Sequence, residues 1–453
     1  MHHLSIVVFF ALLVGSEGQT DESTRTPVEP KSMLMSRAIV QDTTKQKGMR
    51  IYYSNCQTCH KDSVTNIAPG LVMMRAMSTR SIVAALNHGK MRAQGAVLSA
   101  EDRIAVAQWI TNSPLKETSF PDDAFTPFSI ATKTPSAFDH SGWGNNKEGT
   151  GFRNTQQAGI TAANVSSLKL KWAFAFPEGT ITRSKPAIVD EWLIVGGQFG
   201  DLIAINRKTG KMGWRFTATA AIRGAISINR SGNSITAYFA DFSTNVYAVN
   251  VKTGKMIWNK RAGYEAQSAT TGSVAVHNGM VYVPISSTEV GAVVNANVEC
   301  CFSSGGVVAL DAKTGKEVWR YRIVPTAKEN GKSKRNGRPL YGPSGAPVWC
   351  SPTVDAKRGR LYIGTGQNYS YPATNSSDAI LALDLKTGKL IWAFQATAND
   401  MYNVACPAFM NCPDKAGPDV DFGMAPMLVK RKDGTEILVV GQKSGVEIGR
   451  AHV

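Results

Sequence analysis

Residues 309–319 read ALDAKTGKEVW, and the same design recurs at 204–214 (AINRKTGKMGW), 248–258 (AVNVKTGKMIW) and 382–392 (ALDLKTGKLIW). Each stretch reads as strand, tight turn, strand. The K-T-G-K core places Gly where the turn needs a positive φ, and a Trp closes the second strand. The tryptophans Trp214, Trp258, Trp319 and Trp392 are 44, 61 and 73 residues apart. Between them run further short apolar stretches, such as EWLIVGGQ (191–198), GMVYVPIS (279–286) and GRLYIGTG (359–366). Four-stranded units repeating with loops of variable length predict a β-propeller over residues 141–446. TEILVVGQKSGV (435–446) opens another blade, and EIGRAHV (447–453) then reads as translated adaptor sequence rather than protein. On this reading the propeller is incomplete and the natural product is longer.

Upstream of the repeats the pattern is helical. Residues 47–114 place apolar residues three and four apart in STRSIVAALNHG and LSAEDRIAVAQWITN. Ser99 is the expected N-cap of the last of these helices, with Asp102 three residues on. Residues 19–46 and 115–140 are polar and Pro-containing, and read as a flexible tether and a linker. Residues 1–18 read as a secretory signal, with an apolar run from Leu4 to Gly15 that is too short to span a bilayer. No later stretch has the length of a membrane span, so the expected location is periplasmic or otherwise exported. The chain has 453 residues and a formal charge of +16. No basic run is interleaved with aromatic residues, which argues against nucleic acid. An acidic redox partner and a solvated basic surface both remain compatible with the charge.

Seven cysteines fit an oxidising compartment. Cys56 and Cys59 belong to C-x-x-C-H, the attachment signature of haem c, where two thioethers hold the porphyrin and His60 gives an axial nitrogen. A disulfide or a zinc site preceding a His is the competing reading. The sixth iron ligand should be a thioether. The end of the helical region resembles small class I cytochromes, whose ligand Met precedes the final helix, and this favours Met91 over Met73, Met74 and Met77. His88 is the rival. A haem moves single electrons and does no organic chemistry, so the propeller must supply the source.

The blades resemble those of the quinoprotein alcohol dehydrogenases, eight-bladed propellers that carry pyrroloquinoline quinone (PQQ). The haem-first order, WGNNKEGTGFRNTQQAGITAANVSSLKLKWAF (143–174) and GPDVDFGMAPML (417–428) are most similar to the polyvinyl alcohol dehydrogenases among them. Non-catalytic scaffold propellers use the same turn motifs, so the site residues carry the weight. The resemblance implies that Arg223, Thr270, Ser287, Thr288 and Lys443 contact PQQ and that Trp349 stacks beneath its ring. It implies Glu289 and Gln367 as calcium ligands, with Gln367 standing where the family has Asn and followed by Asn368. It implies Asp421 as the base that takes the alcohol proton, with Asp400 as rival. Cys300–Cys301 departs from the family, which places an adjacent-cysteine ring one blade earlier. The pair is expected either to reach the axis or to rigidify its own loop. Cys406 and Cys412 read as a structural disulfide. The implied enzyme is a PQQ-dependent alcohol dehydrogenase that passes electrons to haem c and on to an external acceptor such as a soluble cytochrome c. Its expected substrate is polyvinyl alcohol. A small alcohol or sugar, a scaffold without PQQ, and an electron carrier whose propeller only docks partners are the alternatives.

Overall fold

The computed structural model describes residues 44–451, leaving out 62–67, 88–90, 117–119, 131–134, 136–138, 177–180, 295–297, 336 and 446. The signal, almost all of the tether and His88 therefore lie outside the described residues. Five helices form the first domain: α1 (44–55), α2 (Leu71–Arg75), α3 (Thr79–Asn87), α4 (Arg92–Ala96) and α5 (Ala100–Thr111). The Ser99 side chain accepts from the Asp102 amide at 3.1 Å, capping α5 as its sequence predicts. The first and last helices cross at Gly48, where an added Cβ would stand 2.3 Å from the Ala105 carbonyl oxygen. Tyr52, Met74, Ile82, Leu86, Val106 and Ile110 fill the space between the helices.

Among the described residues, five antiparallel blade sheets follow, with two two-stranded sheets beside them. Blade I spans Ala187–Val189 to Met212–Thr217, blade II Ser227–Ser231 to Met256–Arg261, blade III Ala275–His277 to Glu317–Arg322, and blade IV Thr353–Asp355 to Leu390–Gln395. Each has its four main strands in sequence order, and blade V has three, from Met427–Lys430 to Glu447–Ala451. The last of these, within the stretch set aside as non-native, pairs with Glu436–Gly441. Residues 140–148 tie the inner strands together. His140 bridges Ile188, Gly142 donates to Ile226, and the Val354 and Leu428 amides donate to Lys147 and Glu148.

The repeated turn has a second purpose beyond reversing the chain. Gly210, Gly254, Gly315 and Gly388 all have φ between 67° and 74°. Each is also covered by the Trp of the preceding blade: a Cβ on Gly254, Gly315 or Gly388 would stand within 3 Å of Trp214, Trp258 or Trp319. The three indole N–H groups donate to the carbonyls of Val251 (2.9 Å), Ala312 (2.9 Å) and Leu385 (3.1 Å) in the following blade. Each Trp thus buries its ring and satisfies its one polar atom against a neighbour. Trp172 makes the same contact, covering Gly210 and donating to Arg207 O at 3.0 Å. The segment LKLKW (168–172) therefore occupies the outer-strand position of a blade preceding blade I.

Within the connection 115–140, the described segment 120–130 lies against blade I. Phe125 bridges Met212, and the Phe128 ring lies 4.3 Å from that of Trp192. Packing of the half-buried Phe128 on Trp192 of blade I outweighs the polar composition around it. The helical domain also rests on the propeller. Met77 bridges Ala220, the Ser81 hydroxyl donates to Ala218 O, and Asp201 pairs with Arg80 of the helical domain and Arg215 of blade I.

Candidate active site

The haem motif sits at the end of α1. Cys56 is half-buried and Cys59 is exposed. His60 Nδ1 lies 2.8 Å from the Pro69 carbonyl oxygen. An imidazole that donates there has its tautomer fixed and presents Nε2 to iron, the usual way a ligating His is oriented. These residues fit covalently attached haem. Met91 packs half-buried against the helical core, as does Met77, while Met73 and Met74 are buried within it.

The propeller residues come from blades II to V. Asp421, 4% exposed, accepts from the Gln367 amide through Oδ1 (2.9 Å) and pairs with Lys443 through Oδ2 (2.5 Å). Lys443 also reaches Asp419 at 3.2 Å, and its ammonium stands 5.5 Å from the centre of the Trp349 ring. Burial opposes the lysine charge, but the two carboxylates outweigh it and raise its pKa. Gly366 must be glycine because a Cβ there would lie 2.2 Å from Asp421 Oδ1, and a Cβ on Gly423 would meet the Trp349 indole at the same distance. Asp400 is fully buried, and its carboxylate accepts from the amides of Asp419 (3.2 Å) and Val420 (2.9 Å). It holds the loop that carries Asp421.

Glu289 is buried at the start of a single helical turn. Its carboxylate takes hydrogen bonds from the amides of Phe302 and Ser303 (both 2.8 Å) and from the Ser303 hydroxyl (2.5 Å). No cation is among these partners, and burial pushes its pKa up to about 7. Gln367, 2% exposed, donates its Nε2 to Tyr402 O but leaves Oε1 buried with no partner. An uncompensated carboxylate and an orphaned amide oxygen are what a hard cation would satisfy. Among the described residues no three His, Cys, Asp or Glu side chains converge as a metal cluster, so the donor set is one of mixed oxygens. The residues present fit calcium. Tyr369 is flanked by both halves of the site: after burial, the charges of Asp421 and Glu289 raise its phenol well above the ordinary value.

Thr270 is buried with its hydroxyl unpartnered, which suits a polar contact to a bound group. The Ser287 hydroxyl accepts from the Glu289 amide (3.0 Å), and the Thr288 hydroxyl is taken up by Gln267. Arg223 stacks over Phe242 at 5.1 Å and lines a cavity of about 270 Å³ between the helical domain and blades I and II. Burial first, and then the Arg183 charge, lower its pKa. The buried carboxyl of Asp378 escaped the sequence reading. Neither of its oxygens meets a donor in good hydrogen-bond geometry, and the adjacent Ser377 hydroxyl donates to Thr374 O (3.1 Å). Burial, and next the charges of Asp400 and Asp421, push it up to about 9. No motif marks it; only its position before the strand Ala379–Asp384 does.

Comparison with known proteins bears on the family and the fold. Residues 140–417 match the β-propeller domain of glucose, ethanol and alcohol dehydrogenases (PQQ), and residues 43–110 match the cbb3-type cytochrome c oxidase subunit III family. A polyvinyl alcohol dehydrogenase of Pseudomonas sp. is 33% identical over 422 residues, and one of Sphingopyxis sp. (strain 113P3) is 31% identical over 426. Each match covers 88% of this chain and 64% of the relative, so the chain spans less than two thirds of their length. The structure of quinohemoprotein alcohol dehydrogenase from Comamonas testosteroni superposes with a TM-score of 0.52 at 21% identity, covering 71% of this chain and 48% of that one. That likeness concerns the fold alone. A cytochrome c domain followed by such a propeller calls for haem c and PQQ as cofactors. With residues 140–417 matched, more than half of its length, the chain belongs to the family that carries the PQQ β-propeller domain of glucose, ethanol and alcohol dehydrogenases.

Proposed function

We propose that the protein oxidises secondary alcohol groups, those of polyvinyl alcohol by preference, outside the cytoplasm, and passes the electrons through its own haem to an external carrier. The observation that carries the reading is the grouping of Asp421, Lys443 and Trp349 beside the orphaned oxygen of Gln367. When bound, PQQ supplies the two-electron hydride acceptor and haem c the one-electron exit. Asp421 receives the hydroxyl proton of the alcohol. Lys443 holds that carboxylate in place from one side and the Gln367 amide from the other. Trp349 offers a flat apolar face on which a planar ring can lie, and Thr270 offers a hydroxyl to a carboxylate. Glu289 and Gln367 would hold calcium, which acts as a Lewis acid in such a site. Arg223 supplies positive charge toward the helical domain.

The positions of the domains support an internal electron route. Met77 bridges Ala220, three residues before Arg223, so the haem domain rests on the segment that carries Arg223. Preference for the polymer rests on the two polyvinyl alcohol dehydrogenases that the chain resembles. Export rests on residues 1–18 and on the two disulfides. No helix among the described residues is long and apolar enough to cross a membrane.

The test is the visible spectrum of the haem in protein reconstituted with PQQ and Ca²⁺. The reduced α-band should grow on adding polyvinyl alcohol, and only when quinone and alcohol are both present. Growth with a small secondary alcohol alone would keep the chemistry and reject the polymer. No growth with either would overturn the proposal.

A further inference from the structure

Cys300 and Cys301 are the one chemical motif that the proposed reaction does not use. They are joined to each other, at a sequence separation of one. A bond between neighbours ties no distant parts of the fold together, and it closes no long loop whose entropy it could reduce. What it can do is stiffen the backbone on either side. The next two residues along that backbone are Phe302 and Ser303, and their amides are the ones that hold Glu289.

The ring is anchored on all sides. The Cys301 amide donates to Tyr341 O (3.4 Å) and the Tyr341 amide donates to Cys300 O (3.3 Å). The Phe302 ring lies 4.4 Å from that of Tyr341. Cys300 and Cys301 are buried in an apolar cluster with Val293, Tyr369, Ala405 and Cys412. The helical turn of Glu289 is pinned to the same cluster: Val404 N donates to Val290 O (2.8 Å), and Asn411 Nδ2 donates to the carbonyls of Val293 (2.9 Å) and Val298 (3.1 Å). Carboxylate and donors are thus each fixed to one block of protein.

We propose that the Cys300–Cys301 ring and Ser303 are positioning residues that aim the Glu289 carboxylate at a divalent cation. Two successive amides and a hydroxyl converge on one carboxylate only if their backbone cannot swing. The ring immediately before them removes that freedom. The three donors orient the carboxylate while leaving lone pairs for an ion, since each carboxylate oxygen can accept about two bonds. The inference rests on Glu289 as a calcium ligand.

A terbium titration tests it, with Tb³⁺ emission sensitised by nearby aromatic side chains and Ca²⁺ as competitor. The parent protein should bind Tb³⁺ and release it to Ca²⁺. Ser303→Ala and the double variant Cys300→Ala/Cys301→Ala should each bind about 10- to 100-fold more weakly, the usual effect of losing a group that orients a metal ligand. Ser303→Thr, which keeps the hydroxyl, should restore binding. Unfolding midpoints measured without metal separate a positioning effect from general loosening: weaker binding at an unchanged midpoint supports positioning. Equal affinity in parent and variants overturns the positioning role and leaves the calcium site standing. A parent that binds neither ion overturns both. Should the double variant not fold, Ser303→Ala decides alone, and unchanged affinity there rejects the proposal.

Discussion

The two cofactor regions of this chain are built on opposite plans. The haem site is local: Cys56, Cys59, His60 and Pro69 lie within one short stretch, and two thioether bonds would fix the group to it. The propeller site is assembled from residues that run from Arg223 to Lys443, brought by four blades, and every contact it offers is non-covalent. The difference teaches what each can tolerate. A local covalent site works or fails as a unit. A distributed site divides its burden, so single losses should be graded, with the largest at the group that changes protonation.

The sharpest break comes from Cys56→Ala/Cys59→Ala. Covalent haem should be absent from the denatured protein by haem staining, while the propeller still binds PQQ. In the distributed site, Asp421→Asn removes the base and should lower kcat by about 10²- to 10⁴-fold with PQQ affinity nearly unchanged, measured with an artificial electron acceptor. A large loss of PQQ binding instead would show that Asp421 is structural.

A smaller effect comes from the propeller framework. Asp241 is buried and accepts from the amides of Asn245 and Ala220 and from the Tyr247 hydroxyl; burial still pushes it up to about 6. Its folded pKa lies above the unfolded value, so its contribution is fully present below about pH 4 and is lost as pH rises through about 6. The loss is about 3 kcal/mol at about 1.4 kcal/mol per unit. Denaturant unfolding across that window should show the slope, and Asp241→Asn should flatten it. The smallest expected change is Ser99→Ala, which removes the α5 cap and should cost about 1 kcal/mol in the helical domain while leaving propeller unfolding untouched.

The same contrast governs what could be read in advance. The haem motif and the α5 cap are statements about neighbours in sequence, and both are legible as written. The blades were legible because K-T-G-K and Trp repeat together. Trp172 was not, because its segment follows no such turn, although it makes the same contact with Arg207. The docking of Phe125 and Phe128 was hidden by the Ser, Thr, Pro and Asp around them. Glu289, Gln367 and Asp421 could be placed only by resemblance. The residues that act on them could not, since Ser303, Asp378 and the sharing of Lys443 between Asp419 and Asp421 arise only when separate blades meet.

The glycine under each neighbouring indole has a consequence for how such a molecule comes apart. Blades I to IV share one repeated contact at each junction, so they behave as coupled units in series, with stability shared between nearest neighbours. A methyl group added at Gly315 would disturb its own turn and also lift Trp258 of the blade before it. One substitution would then weaken two units and the junction between them, and unfolding would begin at that seam.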